Sequence, residues 1–198
     1  MAAFPNPEPA MSPKRLAAVA VALAFPFCAA AQATGQYVDA AHFAVDTGRI
    51  LGLGGTPAQR LAQTMTVVSG GELAGMFLPI VCNTGRVTVE VRDVVADAPG
   101  PVLIARKRVR GEELNVFSAT RFVYVRFAAG TTLATGQRVA VVLSHDGAGS
   151  CSVFGSPLAS GYAGGRGLFE SAANPPGFLP FSDFPGTPDD LPFQLVLD

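Results

Sequence analysis

Apolar and polar residues alternate with a period of two along most of the chain. In Arg86-Val-Thr-Val-Glu-Val-Arg92, Val87, Val89 and Val91 fall on one face and Thr88, Glu90 and Arg92 on the other, the pattern of a half-buried strand. Arg121-Phe-Val-Tyr-Val-Arg-Phe127 is aromatic and β-branched, and Arg138-Val-Ala-Val-Val-Leu-Ser144 is apolar enough for a central strand. Further strands are predicted at Ala62 to Val68, Leu73 to Val81, Val102 to Val109, Cys151 to Phe154 and Pro192 to Leu197. Gly130 and Gly136 bracket one turn, and Asp97-Ala-Pro-Gly-Pro101 reads as another, because proline presets one backbone angle and glycine admits the left-handed one. Only Ala40 to Leu61 offers room for a short helix, interrupted by Gly52, Gly54, Gly55 and Pro57. Short strands separated by Gly/Pro turns predict an all-β fold, an antiparallel β-sandwich.

The N-terminus changes the compartment. Met11-Ser-Pro-Lys14-Arg15 is a basic start, Leu16 to Phe27 an apolar run, and Ala31-Gln32-Ala33 a small-x-small cleavage signal. This reads as a secretory signal peptide cut after Ala33, with translation starting at Met11. The run is shorter than the ~20 residues of a membrane span. Cys28 offers a rival lipoprotein reading, but it follows Phe27 where a lipobox has a small residue. The chain therefore divides into a leader (1–33), an N-terminal extension (34–60) and a sandwich domain (61–198), exported to the periplasm or the extracellular space.

Loss of Lys14, Arg15 and Glu8 with the leader takes the 14 basic and 15 acidic side chains of the chain to 12 and 14. A nearly neutral protein has no basic surface for nucleic acid, and Arg106-Lys-Arg108 with Arg110 reads as the solvated face of one strand. Cys82 and Cys151 are the cysteines left, and in an exported chain the simplest reading is a disulfide between them. Each sits where a strand meets a loop, a place from which a bridge would tether the glycine-rich loops at one rim, the 161–170 stretch included.

That stretch, Gly161-Tyr-Ala-Gly-Gly-Arg-Gly-Leu-Phe-Glu170, has no Lys-Ser/Thr at a helix start for a phosphate loop and no βα context for a dinucleotide fingerprint. It reads as a loop in which Gly164 and Gly165 take positive φ and bring backbone close to a neighbouring strand, with Tyr162 packed or displayed beside it. Ser144-His145-Asp146 resembles a hydrolase triad only in letters, since adjacent residues of a strand point to alternate faces and a triad converges from separate segments. With His42 the only other histidine, a zinc enzyme is poorly supplied. Glu112-Glu113 reads as a solvated turn, and Asp183, Asp189 and Asp190 as a speculative structural Ca²⁺ site in a Pro/Gly-rich segment. No other cofactor is implied.

Gln63-Thr-Met-Thr-Val67, Leu133-Ala-Thr-Gly-Gln-Arg-Val-Ala-Val-Val-Leu143, Gly161-Tyr-Ala-Gly-Gly165 and Asp189-Asp-Leu-Pro-Phe-Gln-Leu-Val196 follow one another in an order that resembles secreted bacterial jelly-roll domains. In those domains a QTFTV-like strand, an LxxGxxYxxVL hairpin, a YxGG loop and a terminal DDLxFxxxV strand recur. The resemblance spans Leu61 to Asp198 and implies a sandwich fold and an accessory role in surface or secreted proteins. This chain has Val139 where a tyrosine is common and Phe178 where a tryptophan is usual. The function expected is thus a secreted, non-catalytic module with a structural or adhesive role towards a protein, a matrix or a glycan. A carbohydrate-binding module, stacking sugar on Tyr162, Phe169 or Phe178, is the alternative, and a hydrolase with residues scattered over loops the second alternative.

Overall fold

The computed structural model describes residues 35–56, 58–114, 122–147 and 149–198. The expected leader and cleavage site, with Cys28, fall outside the described residues. The strands are β1 (Tyr37–His42), β2 (Asp46–Leu53), β3 (Arg60–Thr66), β4 (Gly71–Leu78), β5 (Ile80–Cys82), β6 (Arg86–Val95), β7 (Ala98–Arg110), β8 (Val123–Arg126), β9 (Thr132–Leu133), β10 (Arg138–Asp146), β11 (Cys151–Gly155), β12 (Gly167–Glu170), β13 (Leu179–Pro180) and β14 (Phe193–Leu197). Every pairing is antiparallel. One sheet runs β13-β12-β3-β10-β6-β7, a second β1-β14-β4-β8 with β9 attached to β4, and a third β2-β11-β5. The fold is all-β and sandwich-like, as the period-two pattern predicts. Among the described residues no helix is long and apolar enough to cross a membrane.

The alternation seen in the sequence is the alternation of faces. Val87, Val89 and Val91 of β6 meet Val139, Val141 and Leu143 of β10 and Leu61 and Met65 of β3 in one buried cluster. Leu73 and Met76 of β4, Phe193 and Leu195 of β14, and Ile80 and Val153 of the third sheet join the same cluster, so the six-stranded sheet shares one core with the other two. The opposite, outer face of the six-stranded sheet carries the polar positions 86, 88, 90 and 92 of β6 and a small second cluster of Ala62, Val142 and Leu168 under Phe178.

Two local expectations are corrected. Among the described residues of 40–61 there is no helix: β1 and β2 run through them as edge strands, drawn out by pairing with β14 and β11. The turn at 97–101 moves upstream. Ala96 and Asp97, at φ 50° and 62°, make a two-residue hairpin between Val95 and Ala98, because a tight antiparallel turn requires left-handed residues. Pro99 and Pro101 instead open β7, an edge strand where a missing N–H on the free side breaks no ladder bond.

Candidate functional site

The glycine-rich stretch forms one wall of an open pocket of about 400 Å³, lined by Gly161, Tyr162, Arg166, Ser182, Asp189 and Asp190 among others. Gly164 and Gly165 do not take positive φ, contrary to the sequence reading; both are there for clearance. A Cβ on Gly165 would fall onto the Thr64 carbonyl oxygen, and one on Gly164 would lie 2.5 Å from the Tyr162 hydroxyl. The close approach lets the Arg166 carbonyl accept the Thr64 N–H at 3.0 Å and the Gly164 carbonyl accept the Thr66 hydroxyl at 3.0 Å. The loop is therefore laced onto β3 as it leads into β12. It hangs from that strand and not from the cysteines.

Asp190 is the pivot behind this wall. It is 2% exposed, accepts the Tyr162 backbone N–H and the Gln63 amide at 2.7 Å each, and its own carbonyl accepts the Ser156 hydroxyl at 2.9 Å. Burial pushes its carboxyl above the usual range; the Tyr162 N–H, the Gln63 amide and His42 pull it back, and Asp189 adds to the rise. Burial likewise raises the Tyr162 phenol, a backbone hydrogen bond from Thr66 opposes it, and the charges of Asp39 and Asp190 reinforce it. Its ring stands edge-on to Phe193 at 5.1 Å, with the His42 ring 6.4 Å away. His42 Nε2 is buried with no hydrogen-bond partner among the described residues.

The three aromatics named as a sugar platform do not share a surface. Phe169 lies on the inner face of β12, near-parallel to Phe181 at 6.1 Å and edge-on to Phe184 at 4.6 Å. Phe178 packs on the outer face of the same sheet with the Arg60 guanidinium 5.2 Å above its ring. The three aspartates do not converge either: Asp183 and Asp189 are exposed and Asp190 is buried in its own hydrogen bonds. Among the described residues no group of three His, Cys, Asp or Glu side chains gathers as a metal set. The residues that resemble a triad line one shallow cleft but do not connect into a triad. Asp146 accepts the Thr88 hydroxyl at 3.1 Å, the His145 ring sits 3.3 Å from the Thr84 carbonyl, and no hydrogen bond joins them to Ser144 or to each other.

A second feature escapes the sequence. On the outer face of the six-stranded sheet Glu90, 5% exposed, accepts Arg92 at 2.7 Å and Arg106 at 2.8 Å, and Arg60 pairs with Glu170 at 2.7 Å. Two shallow clefts of about 390 and 420 Å³ share Arg60 and Arg92 along this face. Arg106, Arg108 and Arg110 line up on β7 opposite Glu90, Thr88 and Arg86 of β6. The basic cluster of one strand is thus extended by arginines from its neighbours. At one end Asp97 pairs with Arg138 and, at 3.2 Å, with Arg166, and these ion pairs hold its carboxyl below the usual range.

Cys82 and Cys151 form a disulfide. They are register partners on β5 and β11, with Cα atoms 4.1 Å apart. The hydrogen bond from the Asn83 N–H to the Ser150 carbonyl, one pair further along, places the cysteines at a non-hydrogen-bonded pair, where opposed side chains come closest. The fold and site together define a disulfide-closed, all-β antiparallel domain of sandwich type. No family model matches the chain, and no curated protein matches it.

Proposed function

We propose that the chain is an exported, non-catalytic β-sandwich module of jelly-roll type that binds or braces another surface. The observation that carries this reading is the engagement of its buried ionisable groups in holding the fold. Asp190 ties β3 to the Gly161–Gly167 loop and Glu90 ties β6 to β7, each carboxylate taken up by two hydrogen-bond or ion-pair partners. General acid–base catalysis needs a proton-transfer group free to face a substrate, and nucleophilic catalysis needs a base within hydrogen-bond reach. The cross-strand disulfide and the cleavable leader read from the sequence support export. Carbohydrate binding remains the alternative, supported by the open polar pocket at Tyr162 and Arg166 and weakened by the dispersal of Tyr162, Phe169 and Phe178 over different faces.

The test is expression of the full chain with its leader. A soluble, lipid-free protein beginning at Thr34, with no free thiol and no turnover of a panel of chromogenic esters and glycosides, is the expected result. Sustained turnover that disappears in Ser144→Ala or Asp190→Asn would replace this reading with the hydrolase one, and a lipid on Cys28 would replace soluble export.

A further inference from the structure

We propose that the outer face of the six-stranded sheet binds an extended acidic polysaccharide, one whose sugars carry carboxylate or sulfate groups. The proposal rests on the module being exported and deepens its binding role. Besides Arg138, which pairs with Asp97 at one end, six arginines, Arg60 on β3, Arg86 and Arg92 on β6 and Arg106, Arg108 and Arg110 on β7, stand at outward positions of this face. They stand against three carboxylates, Glu90, Asp146 and Glu170. The face is therefore net positive by three on a chain whose formal charge is −1. Such a separation of charge makes a local attractive field that the overall composition conceals.

Three of the six have no ion-pair partner among the described residues: Arg86, Arg108 and Arg110 are exposed and absent from every pair on this face. The others are held in position. Glu90, buried under Arg92 and Arg106, orients two guanidinium groups, and Glu170 with the Phe178 ring orients Arg60. Outward positions along a strand recur about every 6.6 Å and neighbouring strands lie about 4.8 Å apart, so the guanidinium groups form a grid rather than one point charge. A guanidinium fork binds a carboxylate or sulfate with two parallel hydrogen bonds. Two shallow clefts that share Arg60 and Arg92 lie on the same face, one lined also by Gln59 and Arg106 and the other by Pro99, Pro101 and Phe178, while Arg86, Arg108 and Arg110 lie outside both. A grid of cations spread over three strands of one face matches a repeating anion, not a single small one.

The experiment uses the mature, disulfide-intact protein and titrates it with polygalacturonate and dextran sulfate, with neutral dextran, duplex DNA and anionic phospholipid vesicles as comparisons. Binding to both acidic polysaccharides, none to neutral dextran, and weakening with added salt are expected. The triple variant Arg86→Gln/Arg108→Gln/Arg110→Gln should lose about tenfold in affinity while keeping its circular dichroism. Arg126→Gln, on β8 of another sheet, should lose nothing. Absence of polysaccharide binding, indifference to the triple substitution, or equal binding of DNA or vesicles overturns the proposal. So does a dimer in sedimentation that the triple variant abolishes, since the face would then belong to a second copy. Cleavage of the polygalacturonate, seen as new reducing ends, would leave the binding face standing and overturn the non-catalytic reading alone.

Discussion

Gln63 donates its side-chain amide to Asp190 at 2.7 Å while its carbonyl oxygen accepts the Leu191 N–H at 2.7 Å. Both side chains are buried, so one residue of β3 satisfies two polar groups of the segment that leads into β14. A buried partner left unsatisfied costs about 1–3 kcal/mol, more when it is charged. Gln63→Leu should accordingly destabilise by about 3 kcal/mol in urea unfolding, and the double variant Gln63→Leu/Asp190→Leu by less than the two single losses added together. Additive losses would mean that the two groups do not act as a pair.

The pH dependence of stability should carry the mark of Asp190. Its carboxyl is raised by burial in the folded state, so the folded protein holds this proton to a higher pH than the unfolded chain does. The contribution is fully present below the ordinary carboxylate value and is lost as pH rises through the folded value. Asp97 runs the other way: lowered by Arg138 and Arg166, it stabilises above the ordinary value and is lost as pH falls. Unfolding measured from about pH 3 to pH 7 on the native chain and on Asp190→Asn should show the native chain's advantage shrinking as pH rises. An advantage that grows with pH would contradict the assignment.

The disulfide closes a loop of 69 residues in sequence, for which the chain-entropy account gives about 4 kcal/mol. The Cys82→Ala/Cys151→Ala variant should lose about that much. The bridge fastens β5, a three-residue strand whose only ladder partner among the described residues is β11. Loss of amide protection should therefore begin at β5 and at the neighbouring Gly111–Leu114 turn. It should spare residues 161–170, which are laced to Thr64 and Asp190 instead. Early loss of protection at 161–170 would restore the tether that the sequence alone implies.

Strand positions were legible because burial on one face writes itself into alternate residues, as in Val87, Val89 and Val91. The helix expected near residues 40–61 fails for the converse reason. β1 and β2 are edge strands with mixed exposure, and their conformation is imposed by β14 and β11, partners far away in sequence. The hairpin at Ala96-Asp97 was hidden by the prolines that follow it, since nothing local marks alanine for a left-handed angle. The arginine face was hidden by register. Arg106, Arg108 and Arg110 are visible as a basic strand, but only pairing with β6 and β10 sets Arg86, Arg92 and Arg60 beside them. Asp190 looked like a calcium ligand because its partner Gln63 stands 127 positions away.

The glycine loop gives a contrast between two neighbouring positions. Gly165 has ordinary φ, yet its missing side chain is what lets the loop meet β3, since a Cβ there would overlap the Thr64 carbonyl in the middle of the six-stranded sheet. Backbone cannot yield as a side-chain tip does. Gly161 is exposed, and a Cβ there would meet only an Asp190 oxygen at 3.9 Å, an ordinary contact. Gly165→Ala should therefore cost about 3 kcal/mol, the upper range for forcing extra volume into packed structure, and Gly161→Ala no more than about 0.5 kcal/mol. Thermal melts of the two variants decide the matter. If Gly165→Ala melts with the native protein, the loop is free of β3 and the pocket wall built on it falls with that attachment.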